Sequence, residues 1–398
     1  MVERQTVIAF VVLFFGVVSC GSFPGLEEKY SRANLSSVIS IEEIFNQPLV
    51  TYSFGEETYY YTITLQNVKE EPSYIYPYYL PLEGIFNDFF NFFYKEDKTF
   101  ATKAEYVGPL ATRIYPPPIH LRKEYKRGII DRVKIDITKL YAFPVDGIYR
   151  LNYNSILLEH DPATGKDEIR YFWSNYRSLK VLDTASFEKV VQVNPVSQVT
   201  TFLDCSSEAE REIRSSISKA IEYTRKTIEY LEGNSGGTPP LFTKVFGRVK
   251  RAKLQTRITE VLEIYKNILN AIPSAIQCTA NKQEDVDEDF QEGNTRAVAL
   301  GVCFANTGIT TWVLPRDESL TINVCPDYFT VKNLDELAYI YIGSMVRFNS
   351  VGSTKDYAGG FENAADLAKR FPDFTSSNAD SYSLFVKSVI NASYKDEL

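Results

Sequence analysis

Histidine is almost missing: His120 and His160 are the only two in 398 residues. A centre built on several imidazoles is therefore excluded, and with it most catalytic zinc sites. Methionine and tryptophan are equally scarce, with two of each. Positive charge is in deficit. Lys and Arg number 43 against 51 Asp and Glu, for a formal net charge of -8. Such a field opposes nucleic acid and anionic membrane surfaces. No segment has the roughly 20 consecutive apolar residues that a bilayer-spanning helix needs. There is also no phosphate-cradling glycine loop and no C-x-x-C pair, which removes the common nucleotide-binding and thiol-redox readings. Gly233-Asn234-Ser235-Gly236-Gly237 fits G-x-S-x-G by letter, but it belongs to a Gly-Pro-rich run that breaks a helix rather than to a strand-to-helix elbow.

What the chain has in quantity is aromatic side chains, with 27 Tyr and 26 Phe. Tyr-rich, β-branched segments favour half-buried strands. Hydrophobic residues at 44% and charged residues at 24% are ordinary for a globular protein, and the length suits two domains.

Both termini carry addresses. Arg4, diluted by Glu3, precedes the apolar run Val7 to Val18, and Val18-Ser19-Cys20 offers small residues before a cleavage near Gly21. Residues 1–20 read as a signal peptide, the rival being a short uncleaved anchor. Lys395-Asp396-Glu397-Leu398 is a retrieval signal to the endoplasmic reticulum, read by a receptor. The expected location is the lumen of that compartment or the secretory pathway, secretion included. Loss of Cys20 with the signal leaves Cys205, Cys278, Cys303 and Cys325. An even number in an oxidising lumen suggests two disulfides, with three pairings open. Asn34 and Asn391 head glycosylation sequons.

Residues 41–182 alternate apolar and polar positions, as in Tyr59, Tyr61, Ile63 and Leu65, or Tyr149, Leu151 and Tyr153. Pro116-Pro117-Pro118, Asp146-Gly147 and Asp161-Pro162 punctuate them. This predicts an antiparallel β-sandwich. Helices are predicted after Ser206 or Ser207, with Ile213, Ile217, Ile221, Ile228 and Leu231 on one face, and over Leu254 to Leu269. Two more fall at about Asn333 to Phe348 and Phe361 to Arg370.

Ser353-Thr354-Lys355-Asp356-Tyr357-Ala358-Gly359-Gly360 resembles the G-T-x-D-x-x-Y-G motif of the deuterolysin and peptidyl-Lys metalloendopeptidase family, the aspzincins. Phe348 matches the Phe that follows the family's H-E-x-x-H. Phe242 to Gly247, Ala364 to Ala368 and the run Asn378-Ala379-Asp380-Ser381-Tyr382 also resemble family segments. Pro81 to Phe90 and Tyr106 to Leu110 are similar to a β-domain that precedes the catalytic domain in longer members. The resemblance implies an α+β multidomain chain: the N-terminal β-sandwich, then a mainly helical zincin-like peptidase domain over 200–390. It also favours Cys205–Cys278 and Cys303–Cys325 among the pairings.

In that family two His at i and i+4 share a helix face and bind zinc, the Glu between them is the base, the motif Asp is the third ligand and the Tyr stabilises the oxyanion. Here those positions are Gly343, Arg347, Ser344, Asp356 and Gly359 respectively. Only Asp356 is retained. Glycine has no ligand atom, Arg is a permanent cation, and Ser is a poor base. The catalytic set is expected to be lost and zinc with it. Arg347 is expected to pair with Asp356 in place of a metal link.

The remaining signals read as ordinary surface or core. The acidic run Glu284 to Asp289 lacks the Gly and Glu of a calcium loop, having Phe290 and Arg296 there. Arg248-Val249-Lys250-Arg251 looks like a basic processing site but falls at a helix start, where a solvated face is the simpler reading. Phe89 to Tyr94 is expected in the β-core. Three functions remain: a non-catalytic homologue binding a peptide or protein through the old cleft, an active peptidase with substituted ligands, or a lumenal folding factor.

Overall fold

A computed structural model describes residues 39–40, 49–54, 60–67, 70–77, 80, 87–96, 103–127, 130–173, 177–181, 200–234, 237–271, 273–279, 303 and 308–396. The signal segment, Asn34, the acidic run 283–293 and the last two residues lie outside these.

In chain order the N-terminal half holds β1 (Ile39–Ser40), β2 (Leu49–Phe54), β3 (Tyr60–Gln66), β4 (Ser73–Tyr76), β5 (Phe90–Tyr94) and β6 (Glu105–Tyr106). There follow β7 (Leu110–Arg113), β8 (Lys123–Tyr125), β9 (Ile130–Asp136), β10 (Tyr141–Ala142), β11 (Gly147–Asp161), β12 (Lys166–Trp173) and β13 (Arg177–Val181). One antiparallel sheet runs β1-β2-β3-β9. A second runs β12-β11-β4-β8, with β5 and β13 also on β11. The long β11 serves two sets of partners: its first half pairs β5 and β13, its second half β12 and β4. Alternation on β11 buries Tyr149, Leu151 and Tyr153. The aromatic run packs against them as expected. Phe89, Phe90 and Phe92 are buried, and the Phe92 ring lies 4.7 Å from Tyr141 and 5.1 Å from Phe143.

The C-terminal half holds β14 (Thr201–Leu203), α1 (Ser207–Gly233), α2 (Pro240–Phe246), α3 (Arg251–Asn270), β15 (Ala275–Cys278), β16 (Ile309–Val313) and β17 (Ile322–Val324). The helices α4 (Leu334–Met345), α5 (Phe361–Arg370) and α6 (Ala379–Asp396) complete it. Ser206 caps α1 by accepting from the Ala209 N–H at 3.2 Å. Asn333 caps α4 by accepting from Asp335. Every α4 position from Leu337 to Met345 except Ile340 is buried, so α4 is a core helix rather than an amphipathic surface one. Leu334 is exposed, because it stands in the first turn.

The sheet order is β14-β15-β17-β16-β7. β14, β15 and β17 are parallel; β16 and β7 run antiparallel. The outer strand comes from the N-terminal half of the chain. Cys205–Cys278 and Cys303–Cys325 are the disulfides, as the resemblance implied.

Candidate functional site

The end of α4, the 353–360 loop, the start of α6 and β7 meet at one point. Gly343 and Ser344 lie on the last turn of α4 and Arg347 just after it, so one face presents all three. The Arg347 side chain is 2% exposed and that of Asp356 2%. Arg347 Nη2 donates to Asp356 Oδ1 at 2.6 Å, and lies 3.5 Å from Asp380 Oδ1 on α6. Nη1 donates to Thr112 Oγ1 of β7 at 2.9 Å and to the Gly343 carbonyl. The expected Arg347–Asp356 pair is therefore formed, and it is the centre of a wider set.

Ser344 is fully buried and tied down. Its Oγ donates to the Ile340 carbonyl at 3.0 Å and lies 2.7 Å from Thr311 Oγ1 on β16. Gly343 has almost no spare room. A Cβ there would lie 3.2 Å from Ser383 Oγ and 3.3 Å from Arg347 Nη1. A large side chain at 343 and the guanidinium of 347 compete for one volume, so Gly343 and Arg347 suit each other.

The motif loop is held from α6. Asn378 Oδ1 accepts from the Tyr357 and Ala358 N–H groups at 2.9 and 2.8 Å, and Asp380 Oδ2 accepts from Gly360 at 2.6 Å. The Gly359 carbonyl accepts from Asn363 at 2.6 Å. Lys355 pairs with Asp88, whose carboxylate also accepts from Tyr141 at 2.7 Å. Burial opposes charge on Lys355, but Asp88 and Tyr357 outweigh it and hold its pKa above the usual lysine value. Gly360 has φ +79, and a Cβ there would come 2.2 Å from the ring of Tyr115. Only glycine allows that close approach. Burial lifts the Tyr115 phenol to about 12.

Burial also raises the Asp380 carboxyl above its ordinary range. Arg347, the Gly360 N–H and Arg113 pull it back, and Asp356 pushes it further up.

Sequence reasoning missed Thr112. Its partner Arg347 is 235 positions away, and nothing local marks such a contact. Asp380 was visible only as a member of the Asn378-Ala379-Asp380 segment. His120, exposed beside β7, and His160, 2.8 Å from Asp167, are not part of the site. Among the described residues there is no group of three or more His, Cys, Asp or Glu placed to hold a metal.

Residues 233–387 match the aspzincin family, described as lysine-specific metallo-endopeptidase. The peptidyl-Lys metalloendopeptidase of Grifola frondosa is 22% identical over 257 residues, covering 64% of this chain and 65% of the relative. A zinc peptidase structure from Grifola frondosa shares 23% identity and a TM-score of 0.36, covering 46% of this chain and 97% of that one.

The donor set does not fit the family's zinc. Gly343 supplies no ligand atom, and the Arg347 guanidinium occupies the second histidine's place as a fixed cation. Asp356 is already engaged with it.

Proposed function

We propose that this chain is a non-catalytic member of its family. It works in the secretory pathway, returned to the endoplasmic reticulum by Lys395 to Leu398, and it acts by binding a peptide or protein rather than cutting one. The N-terminal half is a β-sandwich domain within this reading. The observation that supports it most is the buried Arg347–Asp356 pair. A guanidinium held by one carboxylate, with a second alongside, stands where catalysis needs a Lewis acid and an activated water. Ser344, hydrogen-bonded into the sheet, is not placed to serve as a base.

The same geometry narrows where a ligand binds. Thr112 fills the space beside Ser344 and Arg347, its Oγ1 being 3.4 Å from Ser344 Oγ. A ligand that enters the old cleft is therefore kept off Arg347 and Ser344 by Thr112.

Elemental analysis of the purified chain, with a peptidase assay on lysine-containing peptides, tests the reading. Substoichiometric zinc and no cleavage are expected. One zinc per chain, removed by a chelator together with activity, would establish an active peptidase with substituted ligands instead.

A further inference from the structure

We propose that the Arg251–Ala252 peptide bond is a processing site for a serine endoprotease of the secretory pathway whose carboxylate-lined subsites take paired basic residues. The product is a two-chain protein held by Cys205–Cys278. The proposal rests on the secretory routing above and not on the loss of catalysis.

The recognition chemistry is Arg248-Val249-Lys250-Arg251, which places cations at the cleaved position, one before it and three before it. Complementary charge in a protease cleft is the selectivity device this pattern fits. Other basic pairs, such as Lys126–Arg127 and Lys369–Arg370, lack the third cation, with Glu124 and Leu367 in its place.

The structure makes this segment easy to open. Arg248 and Lys250 are exposed. Lys250 has φ -55 and ψ 136, an extended backbone of the kind a cleft-bound substrate adopts. No side chain caps α3, and its first turn has no acidic residue. The cations of Lys250 and Lys253 instead lie at the positive end of the helix dipole, which disfavours the first turn. Ala252, Lys253, Gln255 and Thr256 are exposed, so opening the turn withdraws only the half-buried Leu254 from the edge of the core.

Firm anchors lie on both sides. Gly247 has φ +73, and a Cβ there would come 2.4 Å from the Ala368 carbonyl. Arg257, buried on α3, donates to the Phe246 carbonyl at 3.3 Å and to that of Pro372 at 2.6 Å. The intervening residues, 248–256, reach about 30 Å when extended.

In the reaction, water adds across the amide. The C–N bond breaks, Arg251 keeps the new carboxylate and Ala252 takes the new ammonium. No redox partner is needed. Cys205 precedes the cut and Cys278 follows it, so the pieces stay covalently joined.

The test uses the full chain in two arms. In the first, purified native protein is incubated with a paired-basic endoprotease. The expected result is one band without reductant, two with reductant, and a new N-terminus at Ala252. Arg251→Ala should abolish the pair of fragments, whereas Arg127→Ala should not. In the second arm the chain is expressed in secretory cells with and without its last four residues. Export of the truncated chain should raise the cut fraction several-fold. The proposal is overturned if native protein stays intact while heat-unfolded protein is cut, if cleavage maps elsewhere, or if exported protein carries no cut.

Discussion

Arg347 and Arg251 both sit at helix ends, and their surroundings differ in every respect. Arg347 follows the C-terminus of α4, where the helix dipole favours a cation, and it is buried among Asp356, Asp380, Thr112 and the Gly343 carbonyl. Arg251 begins α3, where the dipole opposes a cation and the cap position is Lys250, whose side chain makes no capping hydrogen bond. The first site is over-determined from four elements. The second is held at its flanks by Gly247 and Arg257 and between them by the half-buried Leu254. The Arg347 cluster is thus fixed by hydrogen bonds from several elements, while the start of α3 has no capping side chain. Substitutions at the two sites should separate them in both size and sign.

The largest effect is expected from breaking the buried pair. Asp356→Ala leaves the Arg347 guanidinium without its main counter-charge, and removal of one partner of a buried ion pair costs about 3–5 kcal/mol. Denaturant midpoints of the full chain check this. Unchanged stability would mean that the pair does not link helix to loop. Thr112→Val should cost less. It deletes one buried hydrogen bond from a charged donor, worth about 1.5–3 kcal/mol, while keeping the volume in β7.

At the other site the sign reverses. Lys253→Glu replaces a cation in the first turn of α3 by an anion, which should stabilise the helix by about 0.3–1 kcal/mol. It leaves Arg248, Lys250 and Arg251 in place. Slower native-state proteolysis at Arg251 with a raised melting temperature would mark local opening as the controlling step. Faster proteolysis with unchanged melting would instead mark the side chain at 253 as a subsite contact.

The contrast also shows which parts of the structure the sequence expressed. The helices of the C-terminal half are local objects: Ser206 and Asn333 announce starts, and apolar spacing marks the α1 and α3 faces. The buried stripe of α3 is centred on Ile258, Val261, Tyr265 and Ile268; apolar spacing put Leu254, Ile258, Leu262, Tyr265 and Leu269 on that face, and Leu254, Leu262 and Leu269 are only half-buried. The motif positions were legible through their order and spacing. The crossing of β7 into the C-terminal sheet was not. Leu110 to Arg113 is four residues long, and its partner strand lies 198 positions on, as in the Thr310 to Thr112 bond. Periodicity records which face of a strand is buried, not which strand covers it. For the same reason Thr112 and Tyr115 were absent from the reading of the site.

The smallest expected effect is also the most diagnostic of the buried cluster. Asp380 keeps its proton to higher pH in the folded chain than in the unfolded one, because burial disfavours its charge. Between the usual aspartate value of 3.8 and that raised value, the folded state binds more protons. Stability attributable to Asp380 therefore falls as pH rises through this window, and is recovered as pH falls. Asp131 and Asp335 have lowered values and act in the opposite sense, so the total pH profile does not isolate Asp380. The difference between the wild-type chain and Asp380→Asn does. Asn retains an oxygen to accept from the Gly360 N–H but does not titrate. The difference in urea midpoint should shift toward the wild type on acidification from neutral pH and level off below the usual aspartate value. A difference that is flat with pH would mean that Arg347 holds Asp380 charged throughout, as it does a simple ion-pair partner. A shift away from the wild type on acidification would mean that Arg347 is shared between the two aspartates more equally than its distances of 2.6 and 3.5 Å indicate.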